Sequence, residues 1–222
     1  MSEVAPPPKP AESRLQTIVA DLVMKPWFWA LFIVLIVAFP IGRALGREVP
    51  KPPEMKIPVP AFELTNEQGQ PYGLKDLKNK LWVADFVFTS CPTVCPKITK
   101  RMHEVMRRAK NLGEYYHLVT FTVDPENDTP QKLAEYGHAY KADPLRWTFL
   151  TGNLGELETT VVKGFKMAMG KEASEDSGMM SIFHSEKLVL VDDAGNIRGY
   201  YDADDAGVNL LLRDMSILAN VR

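Results

Sequence analysis

The sequence predicts an α/β fold: a sandwich with a central mixed sheet, preceded by one N-terminal transmembrane helix. Three observations carry this. Apolar runs of strand length alternate with helical patterns and close in a β-hairpin and a helix. The only two cysteines of the 222-residue chain, Cys91 and Cys95, stand at a strand-to-helix junction in LWVADFVFTSCPTVCPKIT, residues 81–99. A stretch without charge, WFWALFIVLIVAFPIG at 27–42, lies ahead of the globular part.

Residues 1–26 are polar and Pro-rich, with PPPKP at 6–10, and are expected to be a disordered tail. Residues 27–45 are expected to be the anchor. The uncharged core of 16 residues falls somewhat short of the ~20 of a full span. Trp27 and Trp29 suit one membrane interface, and Arg43 and Arg47 close the other end. A core helix would need a globular partner ahead of it. A signal peptide would need a short basic start and a small-residue cleavage site, which Ala44-Leu45-Gly46 offers only weakly. The favoured reading is an uncleaved single-pass anchor. Lys9, Arg14 and Lys25 precede it, and Arg43, Arg47, Lys51 and Lys56 follow. That count slightly favours an outside N-terminus. A tethered dithiol fits an extracytoplasmic domain better, away from the reducing cytosol. The expected location is therefore the cell membrane, with the globular domain on the periplasmic side.

Residues 46–57 read as a stiff, extended Pro-rich linker, and the globular domain is expected over 58–222. Ala61–Thr65 and Tyr72–Leu74 flank a hairpin turn at Asn66–Gln70. Lys75–Asn79 is a short helical turn. Leu81–Phe88 is a strand buried on both faces, followed by a helix from Pro92 to about Leu112, with Pro92 in its first turn and Thr89 or Ser90 as cap. Tyr116–Val123 is a second buried strand. Thr129 and Pro130 are N-cap and first residue of a helix to about Lys141. Arg146–Leu150 is a third strand, and Asn153 starts a helix to about Phe165. Residues 166–183 look irregular. Lys187–Val191 and Ile197–Tyr201 form a hairpin, and Asp204 or Asp205 opens the last helix. This order, with thiols after the first long strand, is the thioredoxin-like arrangement. There is no internal repeat and no Gly-rich phosphate loop. A net charge of −2 gives no electrostatic case for nucleic acid.

Cys91 sits at the predicted helix mouth and Cys95 one turn in, on roughly the same face. Free N–H groups and the helix dipole favour thiolate there, which is both nucleophile and soft metal ligand. Two such sulfurs can close a disulfide or grip one soft cation, Cu(I) or Zn. The bland alternative is a pair of inert core cysteines. A soft ion held by two sulfurs needs a third ligand from elsewhere. His184 qualifies, because the loop before strand 187–191 faces the helix mouth in a thioredoxin-like sheet; the alternative is a surface histidine. His103 lies about 12 Å further along the helix, His117 begins a strand beyond the next crossover, and His138 is on a separate helix. Met179 and Met180 offer thioether sulfur but read better as packing residues. Asp124 and Asp128 read as turn formers. Lys97, Lys100 and Arg101 read as a solvated helix face.

FTSCPTVCP at 88–96, TVDPENDTP at 122–130 and FHSEKLVLVD at 183–192 together resemble the Sco/SenC family of membrane-anchored copper-delivery proteins, over about residues 58–222 plus the anchor. The resemblance implies a copper ion, Cu(I) or Cu(II), held by Cys91, Cys95 and His184. It implies delivery to the CuA-bearing subunit of cytochrome c oxidase, or to another copper or thiol protein. Asp124 matches the aspartate of the family's VDP loop and would be a supporting group. The family often carries Asp directly before the histidine, where this chain has Phe183. The alternative from another class is a membrane-anchored thiol–disulfide oxidoreductase using Cys91 and Cys95, disfavoured by a three-residue gap where thioredoxins have two. A peroxiredoxin would need Thr three residues before its reactive cysteine; Phe88 and Pro92 occupy those positions.

Overall fold

The computed structural model describes residues 19, 21–45, 51–167 and 186–220. His184, Phe183, Met179 and Met180 lie outside the described residues, as does most of the tail expected at 1–26. The chain divides into two units, Met1–Pro50 and Lys51–Arg222.

In the first unit, helix α1 spans Pro26–Leu45, 20 residues. It is the one helix among the described residues long and apolar enough to cross a membrane, with a mean hydropathy of 1.8 over Pro26–Arg43. It outruns the uncharged core at both ends. Pro26 is tolerated as a first helical residue, and Arg43 in the last turn suits the negative end of the helix dipole. The Trp29 indole N–H turns back to the Val23 carbonyl at 2.8 Å.

The second unit is built on a mixed sheet. Its strands among the described residues are β1 (Ile57–Pro58), β2 (Glu63–Asn66), β3 (Pro71–Gly73), β4 (Leu81–Val87), β5 (Tyr116–Thr122), β6 (Trp147–Thr151), β7 (Lys187–Val191) and β8 (Asn196–Asp202). Their order across the sheet is β1-β8-β7-β4-β5-β6-β2-β3. Strands β4, β5 and β6 run parallel, and β7 lies antiparallel on the other side of β4. The chain thus moves outward from β4 to β6 and then crosses back past β4 to reach β7. The carboxyl end of β4 is the point where the direction of winding reverses, the position at which α/β sheets offer a crevice.

Helices cover both faces: α2 (Val94–Arg108), α3 (Pro130–Ala139), α4 (Leu154–Glu158, continued by a π turn at Thr159–Gly164) and α5 (Asp205–Asn220). Side chains alternate along β4. Leu81, Val83 and Val87 pack with Ile98, Met102 and Val105 of α2 and Val208, Leu211 and Met215 of α5. Trp82 and Ala84 face the opposite layer, with Phe121, Leu157, Val161 and Phe165. Burial on both faces explains why β4 and β5 read as near-continuous apolar runs. The expected caps of α3 and α4 form: the Thr129 hydroxyl accepts from the Lys132 N–H and the Asn153 side chain from the Glu156 N–H. Gly207, at the start of α5, could carry no Cβ, since one would stand 2.0 Å from the Asp202 carbonyl oxygen.

Helix α2 begins at Val94, later than the sequence pattern suggested. The Cys91 N–H closes a turn onto the Phe88 carbonyl at 3.2 Å, and Thr93 is non-helical at φ −124° and ψ −67°. The proline in the first helical turn is therefore Pro96, where no backbone donor is needed. Helix α2 also ends earlier, at Arg108, because the chain tightens into a 3-10 segment at Ala109–Tyr115 with Gly113 at φ 60°. Strand β1 has no apolar alternation to announce it. It pairs with β8, and just ahead of it the buried Arg198 guanidinium bonds both the Pro53 carbonyl and the Asp192 carboxylate.

Candidate functional site

The two cysteines come together at the carboxyl end of β4, in different surroundings. Cys91 is partly exposed in the β4–α2 turn, Cys95 is buried at 5% exposure as the second residue of α2, and both are free thiols. Thr93, at the N-cap position, makes no side-chain cap. Its place is taken by sulfur: Cys91 Sγ accepts the Cys95 backbone N–H at 3.4 Å. A helix of 15 residues presents unsatisfied N–H groups and partial positive charge at this end.

The two thiols are pushed apart in acidity. For Cys91, partial burial favours the neutral thiol, but the backbone N–H groups of Cys95, Thr93 and Val94 and the Cys95 thiol together outweigh it, and its pKa falls below the ordinary value. For Cys95, burial dominates and lifts the pKa to about 12; the Cys91 sulfur and the Asp85 carboxylate add to the rise, against a backbone bond at Phe88. Iodoacetamide at pH 7 is therefore expected to label Cys91 first, with Cys95 protected until the chain is denatured. Equal labelling of both cysteines in peptide mass spectra of the native protein would contradict the split.

Asp124 lies in the β5–α3 loop. Its carboxylate accepts two hydrogen bonds from the Asn127 side-chain amide, at 3.0 and 2.9 Å, and its N–H donates to the Thr122 hydroxyl. Of the other histidines, His117 is buried with Nε2 at 2.9 Å from the Thr148 hydroxyl, and burial lowers its pKa to about 4, helped by Lys80. His138 is exposed on α3 and His103 lies along α2, so neither is at the cysteine pair.

Two residues near the cysteines escaped the reading of the sequence. Asp85 is fully buried in β4 on the α2 side. Its Oδ1 accepts from the Thr120 hydroxyl at 2.5 Å, which also accepts the Trp147 indole N–H; Oδ2 has no hydrogen-bond partner among the described residues. Desolvation raises its pKa to about 7 against the lowering bond from Thr120. One acid inside an otherwise apolar run was the available signal. The second is Asp128, read as a turn former, whose carboxylate reaches the cysteine loop through Thr89.

A thioredoxin-like sheet with an asymmetric cysteine pair at the mouth of its first long helix defines a domain for thiol or soft-cation chemistry. The chain belongs to the SCO1/SenC family, whose profile matches residues 51–216. It is 32% identical over 158 residues to the SCO1 protein homolog of Bacillus subtilis, covering 71% of this chain and 79% of that protein. It is 33% identical over 149 residues to a protein of Stutzerimonas stutzeri named for copper binding, covering 65% and 69% of the two. The fold is that of solved Sco structures. One is BsSco, described as a member of the Sco family of cytochrome c oxidase assembly proteins with a disulfide switch. It aligns with a TM-score of 0.65 at 28% identity, over 79% of this chain and 100% of the other.

Proposed function

We propose that this chain is a membrane-anchored copper-binding protein that carries the ion through Cys91, Cys95 and His184, with Asp124 supporting, and delivers it to the CuA-bearing subunit of cytochrome c oxidase. The observation that carries the reading is the sulfur pair at the α2 N-terminus. Two thiolates suit a soft ion better than carboxylate and water would; the helix end favours the charged form of Cys91, and the buried Cys95 would give up its proton on binding the ion. The ion is cargo here. An imidazole as third ligand leaves an open side for ligand exchange with the recipient's own sulfurs. A relative named for copper binding supports the same cargo. Helix α1 would hold the domain at the membrane, with the domain on the periplasmic side.

The experiment is a titration of the reduced full-length chain in detergent micelles with Cu(I), without oxygen and against a competing chelator. One ion per chain is expected, and none after Cys91 and Cys95 are oxidised to a disulfide. Uptake that is indifferent to oxidation would end the proposal.

A second reading, thiol–disulfide exchange, is favoured by the asymmetry of the pair. The Cys91 thiolate would attack one sulfur of a partner's disulfide, and the partner's other sulfur would leave as thiolate. Cys95, losing its proton to solvent, would then displace the partner from Cys91. The partner ends reduced and the Cys91–Cys95 pair oxidised. Reduction of a disulfide substrate that survives loss of His184, in a chain that takes up no copper, would select this reading.

A further inference from the structure

Asp128 is fully buried, and both of its carboxylate oxygens are engaged. Oδ1 accepts from the Thr89 hydroxyl at 2.5 Å, and Oδ2 accepts from the Thr89 backbone N–H at 3.0 Å and from the Thr122 hydroxyl at 2.5 Å. The carboxylate is itself fixed from behind. Its residue's N–H donates to the Asp124 carbonyl at 2.9 Å, Thr122 ends β5, and the next residue, Thr129, caps α3. A rigid acceptor built from the β5–α3 junction therefore holds a residue 39 positions away in sequence. Thr89 lies inside the turn that the Cys91 N–H closes onto Phe88.

We propose that Asp128 is a positioning residue for Cys91. By clamping Thr89 at backbone and side chain, it fixes the turn that keeps the Cys91 sulfur against the Cys95 N–H. Hydrogen bonds to a charged acceptor are short and strong, and a buried acceptor cannot be replaced by water without cost. The turn therefore has one geometry rather than several. The proposal rests on the function above only in taking Cys91 as the working sulfur.

Removal of the carboxylate makes opposite predictions for the two possible roles. If Asp128 acted on Cys91 only as a nearby negative charge, removing it would make the thiol more acidic. If it positions the sulfur, removing it frees the turn, the Cys95 N–H bond is lost, and the thiol becomes less acidic. The experiment follows iodoacetamide labelling of Cys91 against pH, by mass spectrometry, in the full-length chain. In Asp128→Asn the midpoint should move up, and the rate at pH 7 should fall about threefold or more as the thiolate fraction drops. Thr89→Val, which keeps the backbone bond but loses the hydroxyl, should fall less, and Thr89→Ser should restore the wild-type rate. The threonine pair decides the matter alone if Asp128→Asn fails to fold. A midpoint that stays put or moves down in Asp128→Asn, or a Thr89→Ser chain as impaired as Thr89→Val, would overturn the proposal. Labelling needs no metal, so this result stands or falls independently of the copper titration.

Discussion

His184→Ala is expected to weaken Cu(I) binding by at least about 100-fold. Groups that merely orient a metal ligand already cost about 10–100-fold when lost, and a bonded ligand should cost no less. Cys91→Ser and Cys95→Ser should each abolish high-affinity uptake, since a hydroxyl is a hard, protonated donor where the ion asks for a soft anion. The two serine variants should differ in another respect. Cys91→Ser exchanges the sulfur that accepts the Cys95 N–H for a shorter-reaching hydroxyl oxygen, whereas Cys95→Ser puts a hydroxyl in place of a sulfur set in the apolar layer beneath α2. Competition with a Cu(I) chelator measures all three. Near-wild-type affinity in any of them would show that the ligand set is wrong.

Asp85→Asn is expected to make the protein more stable than the wild type above about pH 7 and to lose that advantage in acid. The sign follows from the direction of the shift. Burial raises the folded-state pKa of Asp85 from 3.8 to about 7, so between those values the folded chain holds a proton that the unfolded chain has released. Its contribution is fully present below about pH 4 and is lost as pH rises to about 7. The loss reaches up to about 4 kcal/mol, at roughly 1.4 kcal/mol per pKa unit. His117 runs the other way. Its folded pKa is depressed from 6.5 to about 4, so its contribution is present above pH 6.5 and lost as pH falls through about 4. The two offset each other over much of the same range. The quantity to measure is therefore the difference between Asp85→Asn and wild type, by denaturant unfolding from pH 4 to 8. It should grow from near zero to a plateau above pH 7. A difference independent of pH would mean that Asp85 is not the titrating group.

The elements were legible where one local rule dominated. The runs at 81–87 and 116–122 are apolar because both faces are covered, and Thr129-Pro130 and Asn153 mark helix starts through their own side chains. The cysteine pair was legible for a similar reason, a unique spacing at a strand-to-helix junction. What escaped was nonlocal. The late start of α2 depends on the turn closed by Cys91, and Thr89, which reads as a helix cap because it breaks the apolar run, instead bonds Asp128, 39 residues away. Asp85 hid inside an apolar run, since only the packed sheet reveals that no solvent reaches it. The split in thiol acidity depends on burial depth, which spacing does not encode.

The Arg198 anchorage sets where a water-soluble fragment of this chain should begin. A cut at residue 58 would remove Pro53 and leave a cation inside the protein with only Asp192 to answer it. A fragment starting at Lys51 keeps both partners, so of the two it should be the one that resists proteolysis and refolds cleanly.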